Sequence, residues 1–418
     1  NATQAAQAGD TVLISAGIYW EGGDVGGGRF TVSLNPANNG TAASPITFRG
    51  IGNVYVRLLN TYRGAMIGCS SRDHIIWDHF IIDDYYGGST SDTGPVVFYL
   101  SHYCQLVNSE VIAHTGSYYW GYPIFDANYR GISLEPAYFT TIRSNLIHGF
   151  IGAAGGIIAY DSDDNIIEYN EIYGSKIGIY LKGMHVGFTQ ARNIIRFNYV
   201  HDNTNRGIQN ETAQDTLIYQ NVVVNNGDVG IYAGSLGGPT RSRFVNNTLY
   251  NNGNSIFNGA ISLIGTYMQN VEFLNNIVST SYAAYTSWST NDPGVQSFST
   301  DRNIYFNLSR FGDFTGGQVP FATWQTTYSK DPNGIVADPL FVNSAANNFR
   351  LQSASPALTL GRDVLDLNNN GSTVDMISAG AYITGNETIG LLSGTTPPPP
   401  PPPSDTTAPT ISLTAPLS

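Results

Sequence analysis

Apolar and polar positions alternate with a period of two along most of the chain, in short runs that end at Asn or Gly. That period is the pattern of β-strands. The runs also repeat. TTIRSNLIHG, NIIEYNEIYG, NIIRFNYVHD, TLIYQNVVVN, SRFVNNTLYN and NVEFLNNIVS align as an apolar residue, two variable positions, Asn, one variable position and an apolar residue. The shared column is Asn145, Asn170, Asn198, Asn221, Asn247 and Asn276, in steps of 25, 28, 23, 26 and 29 residues. Weaker earlier copies place Ser109 and His79 in it. A second column reads GISLEP, GIIAYD, GIYLKG, GIQNET, GIYAGS and AISLIG, and alternation sends Ile132, Ile157, Ile179, Ile208, Ile231 and Ile261 to one side.

Two or three short strands per repeat cannot bury an apolar face alone. Stacked coil on coil, they enclose a continuous apolar interior. Helical repeats of this length need apolar residues at three-to-four spacing and avoid Asn and Gly. The pattern therefore predicts an all-β solenoid. An Asn at the same corner of every coil can bond along the stack and satisfy a buried turn, so the Asn column reads as structural.

Composition narrows the class. Of 418 residues only 12% are charged and 41% are hydrophobic, whereas soluble domains carry about 25% charged residues. High hydrophobicity with low charge does not fit disorder. The formal net charge is −12, which argues against nucleic acid as a partner and makes a polyanionic substrate depend on local neutralisation. No apolar run approaches the roughly 18 residues of a membrane span. The chain opens on Asn1, so it is expected to be a mature or trimmed form. Cys69 and Cys104 alone cannot build a disulfide scaffold; one bridge or two buried thiols are both open.

The repeats resemble the right-handed parallel β-helix of the pectate-lyase-like superfamily, over roughly residues 5–385. The opening AAQAGDTVLISAGIY is similar to the usual entry to that fold, and ADPLFVNSAANNFRLQSASPAL with the later AGAYI is similar to its closing segment. The resemblance implies a parallel β-helix domain over residues 1–392, a polysaccharide partner, a monomer, and a secreted or surface-exposed bacterial protein. It leaves the chemistry open, because one fold hosts many functions. Residues 393–407, with Pro397–Pro403, read as an extended spacer. Residues 408–418 resemble the start of an immunoglobulin-like module.

The GI strands also place candidate chemistry. With the Ile inward, third and fifth positions face out. The third-position row is Ser133, Ile158, Tyr180, Gln209, Tyr232 and Ser262; the fifth is Glu135, Tyr160, Lys182, Glu211, Gly234 and Ile264. Rungs lie about 4.8 Å apart, so Lys182 is expected between Tyr160 and Glu211. Aromatic faces stack on sugar rings, and Glu135 and Gln209 can bond hydroxyls. An ordinary solvated sheet with a Lys–Glu cross-strand pair is the plainer reading.

By resemblance to calcium-dependent lyases, GIYLKG carries Lys182 as the base that removes a proton beside a uronate carboxylate. Calcium would sit on Asp161, Asp163 and Asp164 of DSDDN. DLNNNG, from Asp366 to Gly371, matches half of a calcium loop, but its twelfth position is Ile377; turn chemistry explains such clusters equally well. The departures matter too. The next rung carries Glu211 where the lyases have an Arg acid, and Arg206 is read as preceding the strand. His185, in the loop GMHVGFTQ, is a further proton-shuttle candidate, whereas His148 and His201 share a repeat position. Residues 115–130 form a Tyr-rich insertion expected to wall a groove. The reading is a lyase acting on acidic polysaccharide with calcium. Its alternatives are a glycoside hydrolase with paired carboxylates such as Asp161 and Glu211, and a non-catalytic glycan-binding adhesin.

Overall fold

Each repeat is one coil of a parallel β-helix built from three short strands. The computed structural model describes residues 2–21, 32–58, 65–84, 94–113, 130–152, 155–183, 190–234, 239–253, 259–264, 268–286, 297–314, 317–392 and 411–414. His185, the insertion up to residue 129 and the proline run fall outside these residues. The chain divides into two compact units, residues 1–190 with 391–418, and residues 191–390.

In the first unit the GI strands form one parallel sheet, in which Ala65–Ser70, Val96–Tyr99, Arg130–Leu134, Gly155–Tyr160 and Ile177–Lys182 follow one another. A second sheet runs through Ile75–Asp78, Gln105–Val107, Thr141–Arg143 and Ile166–Glu168. A third runs through Ile81–Asp84, Glu110–Ala113, Leu146–His148 and Glu171–Tyr173. The second unit repeats the plan. Its GI sheet contains Arg206–Asn210, Val229–Gly234, Ile261–Ile264 and Ala283–Thr286.

The inward assignment holds: all six Ile of the GI column are buried. Gly207 owes its identity to close packing, since a Cβ there would lie 2.6 Å from Val223 Cγ1 and 2.7 Å from the Gly230 carbonyl oxygen.

The Asn column is a hydrogen-bonded ladder in both units. In the first, Ser109 N–H donates to Asn145 Oδ1, and Asn145 donates through both N–H and Nδ2 to Asn170 Oδ1, each at 3.0 Å. In the second, the same double donation links Asn198, Asn221, Asn247, Asn276 and Asn303. It ends on Asp331, which accepts from Asn303 N–H and Nδ2. Each residue before the Asn turns the corner in left-handed backbone; Ser144, Tyr169, Phe197, Gln220 and Asn246 have φ of 56°, 55°, 55°, 49° and 53°. His79, at φ 63°, occupies this preceding place. Phe80 N–H donates to Ser109 Oγ, so the column starts at Phe80, one residue later than the pattern predicted. A second ladder, Asn203 to Asn226 to Asn252, lines another corner of the second unit.

Further segments pack on the coils of each unit. In the second unit, the helix Phe321–Thr326 places buried Trp324 against Tyr285, ring centroids 5.0 Å apart. Phe349, Ala381 and Tyr382 pack onto Val222 and Val224 of the strand Val222–Val224, while Ala357 and Ala379 pack onto Ile277 and Ile304. In the first unit, Ile411–Thr414 lies antiparallel beside Thr11–Ile14. Among the described residues no helix is long and apolar enough to cross a membrane.

Candidate functional site

Strand register decides which side chains meet on the GI sheet. In the first unit Ile158 pairs with Tyr180 and Tyr160 with Lys182, as the pattern predicted. Tyr180, Ile158, Ile177 and Tyr160 make a small apolar cluster of their own, with the two Tyr rings 6.2 Å apart. Tyr180 is buried there, not presented as an open stacking surface. Lys182 is half-buried, and its Nζ lies 5.8 Å from the Tyr180 ring centroid, a cation–π distance.

Glu135 is buried and ion-paired with buried Arg130. The Arg130 guanidinium lies 4.6 Å over the Tyr160 ring. Glu135 is therefore a partner to a buried cation, not a carboxylate facing solvent. Arg130 is the residue that sequence reasoning missed. Its only signal was a cation directly before a GI strand, five residues before Glu135.

In the second unit Gln209 pairs in register with Tyr232. Arg206 is the first residue of its strand, Arg206–Asn210, and does not precede it. Its guanidinium lies 3.7 Å over the Tyr232 ring, and its Nη1 donates to Gln209 Oε1 at 2.6 Å. Gln209 is buried and donates through Nε2 to Glu211 Oε2 at 3.2 Å. Burial raises the Tyr232 hydroxyl pKa; the Arg206 charge opposes this and the Glu211 charge adds to it. The tyrosine thus stays a neutral hydroxyl able to donate.

The aspartates serve the corners. Asp161 and Asp164 adopt left-handed backbone, φ 48° and 60°, a conformation that short polar side chains tolerate. Asp163 forms a parallel bridge with Tyr138. Among the described residues no three His, Cys, Asp or Glu side chains converge to hold a metal ion. Asp366 spends its carboxylate on its own turn, with Oδ1 accepting from the N–H groups of Asn370 and Gly371. His148 pairs with Glu110 and stacks on Tyr173; His201 pairs with Asp202 and stacks on Tyr199. Both suit a repeat position on the coil surface.

The structure thus gathers Tyr160, Tyr180 and Lys182 with Arg130 and Glu135 in the first unit, and Arg206, Gln209, Glu211 and Tyr232 in the second.

Residues 130–311 match a family model described as the right handed beta helix region. Among solved structures, the chain is similar to the A-module of a mannuronan C-5 epimerase from Azotobacter vinelandii, with a TM-score of 0.52 at 12% identity, covering 79% of this chain and 91% of that one. A pectate lyase aligns with a TM-score of 0.48 at 13% identity, over 91% of this chain and 90% of that one. An alginate lyase from Paenibacillus sp. aligns at 0.45 and 16% identity, over 76% and 95%. No curated protein sequence matches the chain significantly. At these identities the likeness is one of fold, and that fold is a right-handed parallel β-helix.

Proposed function

We propose that the protein binds polysaccharide on the outer face of its GI sheet and cleaves an acidic glycan by β-elimination, with Lys182 as the base. The observation that carries this reading is the half-buried Lys182 amine beside the Tyr160–Tyr180 cluster. A positioned amine can take the C5 proton of a uronate; the electron pair then forms the C4–C5 double bond as the C4–O bond breaks, and the departing oxygen takes a proton from solvent. No step is assigned to calcium. A paired-carboxylate hydrolase gains no support in the first unit, because Glu135 is committed to Arg130 and Asp161 is buried at a corner. A binding-only role gains nothing from these rows either: Tyr180, Gln209 and Glu135 are all buried and engaged within the protein.

The test is a panel of acidic and neutral polysaccharides, read for unsaturated products by ultraviolet absorbance and for reducing ends, with wild type and Lys182→Ala. β-Elimination predicts unsaturated ends from an acidic glycan and a loss of about 10²- to 10⁴-fold in the variant. Reducing ends without unsaturation would overturn the lyase reading in favour of hydrolysis. Retention of glycan with no cleavage would leave binding as the function.

A further inference from the structure

Cys69 lies on the GI strand Ala65–Ser70, in register with Phe98 of the next coil. Cys104 immediately precedes the second-sheet strand Gln105–Val107 of that next coil. Both side chains are fully buried. The Cys104 thiol is turned back toward the preceding coil and donates to the Arg72 carbonyl at 3.4 Å, three residues beyond Cys69. The structure holds both as free thiols, the Cys104 group acting as the neighbour that perturbs Cys69. They are the only cysteines in the chain, and neither belongs to the candidate glycan site.

We propose that Cys69 and Cys104 form an intramolecular disulfide joining two successive coils when the protein folds in an oxidising medium. The oxidant is a disulfide compound acting by thiol–disulfide exchange. The thiolate of one cysteine attacks the acceptor disulfide, a mixed disulfide forms, and one acceptor thiol departs. The second cysteine, as thiolate, attacks the mixed disulfide, closing the Cys69–Cys104 bond and releasing the second acceptor thiol. The protein loses two hydrogens and the acceptor becomes two thiols.

Order of events follows from burial. Exchange requires a thiolate with access to the acceptor. In the folded protein both sulfurs are out of solvent, and burial, reinforced by Cys104, pushes the Cys69 thiol well above its ordinary range. The bridge must therefore close before or while the coils dock, and a protein folded as the dithiol should stay reduced.

Two arms test this. In the first, denatured, reduced protein is refolded in a mixture of oxidised and reduced glutathione. In the second, folded dithiol protein receives the same mixture for the same time. Both are then denatured, alkylated with iodoacetamide and mapped by mass spectrometry. The expected result is a Cys69–Cys104 peptide and no alkylation in the first arm, with both cysteines alkylated in the second. Two alkylated cysteines, a glutathione adduct or an intermolecular bridge in the first arm would overturn the proposal. A bridge appearing equally fast in the second arm would overturn the burial argument.

Discussion

Replacing Asp331 by Asn should change how stability depends on pH. Asp331 is buried at the end of the second unit's ladder, and its carboxyl pKa rises from 3.8 to about 6. Desolvation is the main cause, opposed by hydrogen bonds from Tyr305 and Asn303. The folded pKa lies above the unfolded one, so the folded state holds the proton more tightly. Its contribution is fully present below about pH 4 and is lost as pH rises through about 6. A shift of about two units corresponds to roughly 3 kcal/mol. Wild type should therefore lose most of this, about 2 kcal/mol, through this group between pH 4 and pH 7. Asp331→Asn places the ladder's own residue type there and removes the titration, so it should be more stable than wild type near neutrality, with the difference vanishing toward pH 4. Urea unfolding followed by far-ultraviolet circular dichroism at several pH values gives both curves. Parallel curves for the two proteins would refute the assignment. Asp331→Ala separates charge from bonding: it removes the acceptor for Asn303 and Tyr305 and should destabilise by about 1–3 kcal/mol even at low pH.

Asn221→Ala takes the acceptor from both Asn198 donors and should cost about 2–4 kcal/mol in urea unfolding; a cost below measurement would mean the ladder contributes little. Glu135→Gln leaves the buried Arg130 cation without its counter-charge and should cost about 3–5 kcal/mol, whereas the double change Arg130→Met with Glu135→Leu should recover most of it. Failure of the double variant to recover stability would show that the pair does more than neutralise itself. Gly207→Ala forces a Cβ against Val223 and the Gly230 carbonyl and should cost about 1–3 kcal/mol by overpacking, visible as a lower thermal midpoint.

The coil architecture was readable because a period of two within strands and a recurring Asn between them are both consequences of backbone bonding. Ile132 through Ile261 and the Tyr160–Lys182 register came out as the alternation required. The ladder start was misplaced because Phe80 contributes only its backbone N–H, so no side-chain signature marks it. Asn303 and Asp331 extend the ladder beyond the repeats that align by eye. The candidate site was less legible for a physical reason. Alternation tells which way a side chain points, but not what packs against it, so Tyr180, Gln209 and Glu135 were expected on an open face and are buried. The DSDDN and DLNNNG runs are ambiguous in sequence because left-handed corners and calcium loops select the same short polar residues.

Hydrogen bonding along the Asn ladder has a direction. Every internal member receives on its Oδ1 and passes donors onward from N–H and Nδ2. A carboxylate can receive but has nothing to pass on. Asp331 therefore works as a chain terminator, in the sense used for polymer growth: it has no side-chain amide, and its own N–H is spent on the Thr300 carbonyl, so a further coil placed after it would find no donor offering the next bond. The length of this solenoid is in that respect written at its last corner. Lengthening it by a whole repeat would require insertion upstream of Asp331, where an added Asn can both receive and pass on.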